Sequence, residues 1–392
     1  MRDVIVAGAG MTRFGKLPGT GVRDFAVKAA ADALADADID QSRVERIFFG
    51  NAVAPTVSHQ DMVKGQVAFR HTPLAHVPII NVENACASGS SALKLAYEAV
   101  ATGLCDVALA VGAEQLSHVE RERTFTALRG AMDIGEIGEV DLHEHPEASA
   151  ALMEGYAAEG RELIRDYGAE LADFARVAVK NRRHASMNPR AHFQTPLTLD
   201  EVLASREIAP SLTLPMCSPV SDGAAAVVVC SRGFAARHGI SGPRILATCI
   251  APGTGKGSSP VADAARKAYE TAGVGIGDID VVELHDAAAP AELIQYGDLG
   301  LCGVGEGHHI IRKGETELGG RIPVNVSGGL MSRGHPLGAT GCAQIFELYG
   351  QLKDRADKRQ VDGAQIALAA NSGGWVGDAY AVAVVTILSS VH

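Results

Sequence analysis

The 392-residue chain has no long hydrophobic run: its apolar stretches are broken by Gly, Asp or Glu. None approaches the roughly 20 residues that span a bilayer. The opening MRDVIVAGAG holds a single Arg, an Asp and a short strand-like run, without the apolar segment of a secretory signal. The closing ILSSVH is not a recognisable peroxisomal address, so the expected location is cytoplasmic. The seven cysteines are odd in number and lack CxxC spacing, which argues against a disulfide framework and against structural zinc. Positive charge is also scarce. A formal charge of −11 argues against a nucleic-acid footprint, which needs a basic face. It leaves room for an anionic ligand held by local Arg and Lys.

What is present is an ordinary globular balance, 47% hydrophobic and 21% charged, in a chain long enough for two core units or more. Helix-like and strand-like runs alternate, the signature of an α/β fold. Ala26 to Ala37 is Ala-rich and helical, and a linker leads to the strand-like Arg46-Ile-Phe-Phe. Ala264 to Ala272 and the strand from Asp280 repeat that order. Asn81-Val-Glu-Asn-Ala-Cys opens a loop before a helix from Ser90 to Val100, and Asn325-Val-Ser-Gly-Gly opens one before a helix from Gly341 to Leu352. A strand follows each, from Asp106 and from Ala364. The order predicts a duplicated unit: residues 1–116 with 217–240 as one half and 241–392 as the other. Between them, 117–216 breaks the rhythm with Glu/Arg-rich helices, and is expected to be an insertion covering the edge of the first half.

Three places carry candidate chemistry. Cys86 follows a strand-like run and precedes a helix, flanked by Ala85, Ala87, Ser88 and Gly89. Small neighbours let a ligand approach, and a helix N-terminus favours the thiolate. Read alone it is either a core cysteine or a nucleophile, and the Ser/Gly-rich turn favours the second. His335 stands among the glycines of GHPLGATG, a tight turn that presents a side chain at a helix start, where it could accept and return a thiol proton. His285, at the end of a strand, occupies a usual place for functional groups in α/β proteins.

The strings NACASGSSAL, SDGAAA, HDAAAPAELI, NVSGGLMSRGHPLGATG and NSGG stand in the order found in thiolases. With GAGMTRFGK and VKNRRHASMNP, the likeness covers nearly the whole chain. The chain most resembles the sterol-carrier-protein-like branch, in which His-Asp replaces Asn-Glu. The resemblance implies a five-layered αβαβα fold with two pseudo-twofold-related halves and an inserted loop domain that contacts coenzyme A. It implies no tightly bound cofactor and no metal, with coenzyme A and acyl-CoA as substrates. A homodimer built through the first half, or a dimer of dimers, is expected as well. By resemblance, Cys86 is the acylated nucleophile, His335 activates it, and His285 helps to hold the thioester oxygen. The N–H groups of Cys86 and Gly373 form a second oxyanion site, each donor typically worth about 3–4 kcal/mol. The insertion is where the family binds coenzyme A phosphates, which nominates Lys180, Arg182 and Arg183.

One departure from the family pattern matters. The positions that hold a second, proton-abstracting Cys in relatives are Asn371 and Ala287 here, so one of the two His residues takes that task, and His285 is favoured. The expected activity is an acyl-CoA C-acyltransferase that cleaves 3-oxoacyl-CoA or condenses thioesters. The alternatives are a scaffold subunit that needs a small OB-fold, zinc-ribbon partner, and a retro-aldolase acting on a coenzyme A-linked side chain. Cys86 speaks against the aldolase, because such relatives lose that Cys. Gly8-Ala-Gly10 lacks the third glycine of a dinucleotide fingerprint, with Arg13 at that spacing. His143, His145, His308 and His309 read as polar loops rather than metal ligands.

Overall fold

A computed structural model describes residues 1–138, 142, 150–255, 257 and 259–390; His143 and His145 lie outside the described residues. Nine strands form its main sheet: β1 Val4–Met11, β2 Arg46–Gly50, β3 Ile79–Val82, β4 Val107–Glu114, β5 Gly223–Ser231, β6 Arg244–Pro252, β7 Val281–Glu283, β8 Ile366–Val376 and β9 Ala379–Ser389. The principal helices are α1 Val22–Asp36, α2 Ser88–Ala101, α3 Ala151–Tyr167, α4 Leu171–Ser186, α5 Pro260–Ala272, α6 Ala289–Asp298 and α7 Thr340–Leu352.

The strands are rich in Val and Ala, and β1, β4 and β5 are buried on both faces, as expected of sheets covered by helices on each side. Side-chain alternation then assigns the layers. Val107, Leu109 and Val111 of β4, with Ala224, Ala226 and Val228 of β5, pack on the alanine face of α1. The residues between them, Ala108, Ala110, Ala225 and Val227, face α2 and α7. Those two helices also meet Ala367 and Ala369 of β8. The opposite face of β8, Leu368 and Ala370, packs with Ala264, Ala265 and Ala268 of α5. The result is the expected αβαβα stack, with α2 and α7 as its middle layer.

The duplication is present in the sheet order. One half runs β3-β2-β4-β5-β1, and the other runs Val324-β7-β8-β9-β6, where Val324 bridges Val282 in parallel. Corresponding neighbours pair in the same sense: β2 is parallel to β3 and β4, β7 to Val324 and β8, and the rest are antiparallel. The halves join where Ile5 of β1 pairs with Arg244 of β6.

The segment 117–216 touches the first half, where Ala127 packs with Val53 and Val57, but its two long helices are seated elsewhere. Helices α3 and α4 bury Tyr156, Leu163, Phe174 and Val177 against Leu293 and Tyr296 of α6, in the second half. The apolar faces of α3 and α4 match α6, and a buried Lys180–Glu292 pair fixes the contact. Gly8 and Gly10 also have a packing role. A Cβ on Gly8 would lie 2.5 Å from the Ala37 nitrogen, and one on Gly10 2.4 Å from the Ala29 oxygen, so both glycines admit α1 against β1. Among the described residues no helix is long and apolar enough to cross a membrane.

Candidate active site

The middle layer brings the N-termini of its two helices together, and glycines make that approach possible. A Cβ on Gly89 would lie 2.5 Å from the Gly338 oxygen, one on Gly112 2.1 Å from the same atom, and one on Gly341 2.3 Å from the Ser90 nitrogen. Cys86 sits in the short turn Ala85–Ala87 that leads into α2, and His335 in the turn ahead of α7. Ala85 adopts φ +48°, a left-handed conformation that costs a non-glycine of order 1–3 kcal/mol. Local bonds hold it: Asn84 N–H donates to Ser88 Oγ at 2.9 Å, and Ser88 Oγ donates to the Ala85 oxygen at 2.7 Å.

Ligand-type atoms of Cys86, His285 and His335 all lie within 4.8 Å of one another. The two imidazoles stand edge to face, with ring centres 5.2 Å apart at 85°. Burial pushes the Cys86 thiol up to about 12, with the Glu114 carboxylate adding to it, while the amides of Gly374 and Cys86 itself oppose the rise. Burial thus favours the neutral thiol over the anion expected from the helix N-terminus, because desolvation outweighs the two amides. Burial also holds His335 well below the ordinary imidazole range, helped by His285 and Arg333. It pushes His285 down to about 3. Both rings are neutral at pH 7.

Each ring is held through Nδ1. Thr340 Oγ1 lies 2.7 Å from His335 Nδ1, and its hydroxyl donates to the Pro336 oxygen at 3.0 Å. Thr340 is therefore the acceptor, His335 Nδ1 carries the proton, and Nε2 keeps its lone pair. Asn371 Nδ2 lies 3.0 Å from His285 Nδ1. Gln295 clamps the His285 backbone from α6, accepting from its N–H at 3.2 Å and donating to its oxygen at 2.8 Å.

Two carboxylates complete the frame, and the sequence reading singled out neither. Glu114, at the end of β4, accepts from Ala52 N–H at 2.9 Å and Gly338 N–H at 3.1 Å, tying the turn before α7 to the first half. Burial raises its carboxyl to about 7. Asp286 accepts the Leu330 amide at 2.7 Å and Asn181 Nδ2 at 2.9 Å, anchoring the segment that leads to His335. Its place beside His285 in the His-Asp string was the available signal.

Cys86 and His335 line a cavity of about 630 Å³ whose walls include Leu116, Phe125, Leu152 and Met153. Lys16, Arg121, Arg182 and Arg206 add positive charge to it, a composition suited to an apolar chain with a phosphorylated carrier. Of the three nominated phosphate ligands, only Arg182 lines this cavity. Its guanidinium lies 3.8 Å from the Phe193 ring centre and burial pushes it down to about 10. Arg183 instead pairs with Glu317, and Lys180 is buried against Glu292, so the helical turn that presents Arg182 directs both neighbours away. The Gly374 amide acts on the Cys86 sulfur. Gly373 serves as a close-packing position, where a Cβ would lie 2.2 Å from the Asn84 oxygen. His308 and His309 lie with ring centres 3.9 Å apart, His308 bonded to the Gly305 oxygen.

Residues 4–233 match the family described as "Thiolase, N-terminal domain", and residues 254–389 match "Thiolase C-terminal domain-like". Sterol carrier protein 2 of Bos taurus is 40% identical over 390 residues, 94% of this chain and 70% of that protein. Acetyl-CoA acetyltransferase of Methanothermobacter thermautotrophicus is 36% identical over 387 residues, 97% of this chain and 98% of that one. Two solved structures are similar over nearly the whole length. One, an Ltp2-ChsH2(DUF35) aldolase, has a TM-score of 0.79 and 26% identity and covers 99% of this chain and 97% of its own. The other, human mitochondrial 3-ketoacyl-CoA thiolase, has a TM-score of 0.74 and 17% identity and covers 100% and 99%.

Proposed function

The chain belongs to the thiolase family and is an acyltransferase, and from that premise we propose that it moves acyl groups between coenzyme A thioesters through an acyl-enzyme on Cys86. The observation that carries this reading is the trio of Cys86, His285 and His335 within 4.8 Å, with Cys86 and His335 on the wall of a cavity that is apolar within and basic in part.

In the cleavage direction, His335 Nε2 takes the Cys86 proton as sulfur attacks the ketone carbon of a 3-oxoacyl-CoA. The resulting alkoxide collapses, the bond between the ketone carbon and the α-carbon breaks, and the departing enolate takes the proton from His335 to leave as acetyl-CoA. The acyl group stays on sulfur as a thioester. Free coenzyme A then attacks it, its thiol proton passes by way of His335 to Cys86, and the shortened acyl-CoA leaves. The reverse direction condenses two thioesters. The N–H groups of Cys86 and Gly373 are the nominated donors to charge that develops on the substrate oxygen, with the Gly374 amide beside the sulfur; each such donor is typically worth about 3–4 kcal/mol.

Arg182 is the nominated phosphate contact, with Lys16, Arg121 and Arg206 beside the same cavity. We further propose a cytoplasmic homodimer built through edge strand β3. Exposed Met62, Val63 and Ile80 support that surface. The aldolase likeness raises retro-aldol cleavage as the rival, and a buried thiol between two imidazoles supports acyl transfer instead. The test is steady-state thiolysis with varied 3-oxoacyl-CoA and coenzyme A. Parallel double-reciprocal lines for the protein and no turnover for Cys86→Ala are expected; full activity in that variant ends the proposal.

A further inference from the structure

Three groups that can each give a lone pair to a cation converge where the two helix N-termini meet. One ligand-type atom from each of Cys86, His285 and His335 lies within 4.8 Å of the other two. Among the described residues no other set of three His, Cys, Asp or Glu groups converges in this way. Bonds of about 2.0–2.1 Å to imidazole and about 2.3 Å to thiolate hold tetrahedral ligand atoms roughly 3.3–3.8 Å apart, so each atom has less than about 1 Å to travel.

Both rings are prepared for such a bond. His335 Nδ1 lies 2.7 Å from Thr340 Oγ1, whose hydroxyl donates to the Pro336 oxygen at 3.0 Å, which leaves the lone pair on Nε2. His285 Nδ1 lies 3.0 Å from the Asn371 amide. Ser90 Oγ lies 2.9 Å from the other end of that amide and donates to the Ala87 oxygen at 2.9 Å. A hydroxyl whose hydrogen is so placed accepts from an NH₂ group. The amide can therefore turn its oxygen to a His285 Nδ1–H without losing a partner at either end, and His285 Nε2 is then bare as well. Metal-bound imidazoles hold their second nitrogen in the same manner.

We propose that Cys86, His285 and His335 also form a binding site for a zinc-class divalent cation, held by the Cys86 sulfur and the Nε2 atoms of both rings, and that this cation and an acyl group exclude each other. Cys86 and His335 line the cavity of about 630 Å³, which gives the ion an entry and a fourth position for water. One thiolate with two imidazoles suits a borderline-soft ion rather than magnesium or calcium, and three protein ligands with one open position suit zinc. Of the charges that bear on the trio, the Glu114 and Glu83 carboxylates favour a cation at the sulfur. Arg333 opposes one at His335 and is itself paired with Glu283. Binding breaks the Cys86 S–H bond, releases that proton to solvent and forms a sulfur–metal bond. The imidazoles supply lone pairs, and no electron changes hands. The ion takes no part in acyl transfer: it occupies the sulfur that an acyl group needs and the nitrogen that accepts the thiol proton. The site stands on geometry alone, while the exclusion of acyl groups rests on the acyl-transfer reading.

The test is titration of the reduced, metal-free protein with cobalt(II), an optical stand-in for zinc. The expected result is one ion per chain, displaced by zinc, with the visible bands of a tetrahedral site and a sulfur-to-cobalt charge-transfer band in the near ultraviolet. That band should vanish in Cys86→Ala. His285→Gln should bind cobalt at least about 100-fold more weakly, beyond the usual cost of disturbing a ligand's outer partner. A protein that binds no cobalt, or His285→Gln with wild-type affinity, would overturn the site. So would a charge-transfer band that persists in Cys86→Ala, since Cys217 lines the same cavity. If a variant does not fold, intact mass of the wild-type protein decides. One equivalent of zinc should suppress the acyl adduct on Cys86 and a chelator should restore it; an adduct that forms equally with zinc bound would overturn the proposal. A metal-free protein that forms no acyl adduct would instead overturn the acyl-transfer reading, and the cobalt spectrum would still decide the cation site.

Discussion

At the scale of single residues, the thiol and its base both rest uncharged, so the proton moves as the sulfur–carbon bond forms. Alkylation of the free protein by iodoacetamide should be slow at neutral pH and rise only above about pH 9, since burial pushes Cys86 up to about 12; rapid reaction at pH 7 would show a preformed thiolate. His335→Asn should lower kcat by about 10²–10⁴-fold, the usual weight of a positioned base. Arg182→Ala should raise KM for coenzyme A about tenfold, or about 1.4 kcal/mol, with kcat within about twofold of wild type; unchanged KM would remove Arg182 from the phosphate site. Cys86 and His335 were legible because small residues and glycines around a reactive side chain are informative locally. Arg182 could not be told from Lys180 and Arg183. Lys180, Asn181 and His184 form a buried polar face of α4, and in sequence such a face resembles one in solvent.

At the scale of elements, the site depends on how closely the turns before α2 and α7 approach. Gly112→Ala puts a methyl 2.1 Å from the Gly338 oxygen, where backbone must move. It should cost about 1–3 kcal/mol as overpacking and reduce turnover by displacing the turn that carries His335. Gly350→Ala, in α7 with nothing within 4 Å of its added Cβ, should instead stabilise by about 0.5–1 kcal/mol. Thermal melts and turnover of the two variants check both, and equal behaviour would contradict the packing role. The order of elements was readable because period-2 and period-3.6 patterns repeat across the halves. The seat of the insertion was not, since the partner of an amphipathic helix is set by shape and by pairs such as Lys180–Glu292, which join residues distant in sequence.

At the scale of the molecule, the contact between insertion and second half carries its own pH signature. His184 Nδ1 lies 3.0 Å from the Asn325 oxygen, and its Nε2 accepts Leu318 N–H at 3.1 Å. Burial, with Lys180 adding to it, pushes the ring down to about 3. A depressed folded value means that the neutral ring's contribution is present above the unfolded value near 6.5 and is lost as pH falls towards about 3. His184→Gln should cost about 2 kcal/mol at pH 7.5, from two hydrogen bonds. That gap should narrow by up to about 1.4 kcal/mol per pH unit below 6.5. Denaturant unfolding of both proteins across pH checks the sign, and a gap that widens on acidification would contradict the neutral buried ring.

The account turns on a covalent bond to one sulfur. Intact-mass analysis after brief mixing with acyl-CoA thioesters, followed by peptide mapping, should find a single acyl group on Cys86, released by added coenzyme A and absent from Cys86→Ala. An unmodified protein that nevertheless turns over 3-oxoacyl-CoA, or an adduct mapped to another residue, would contradict it.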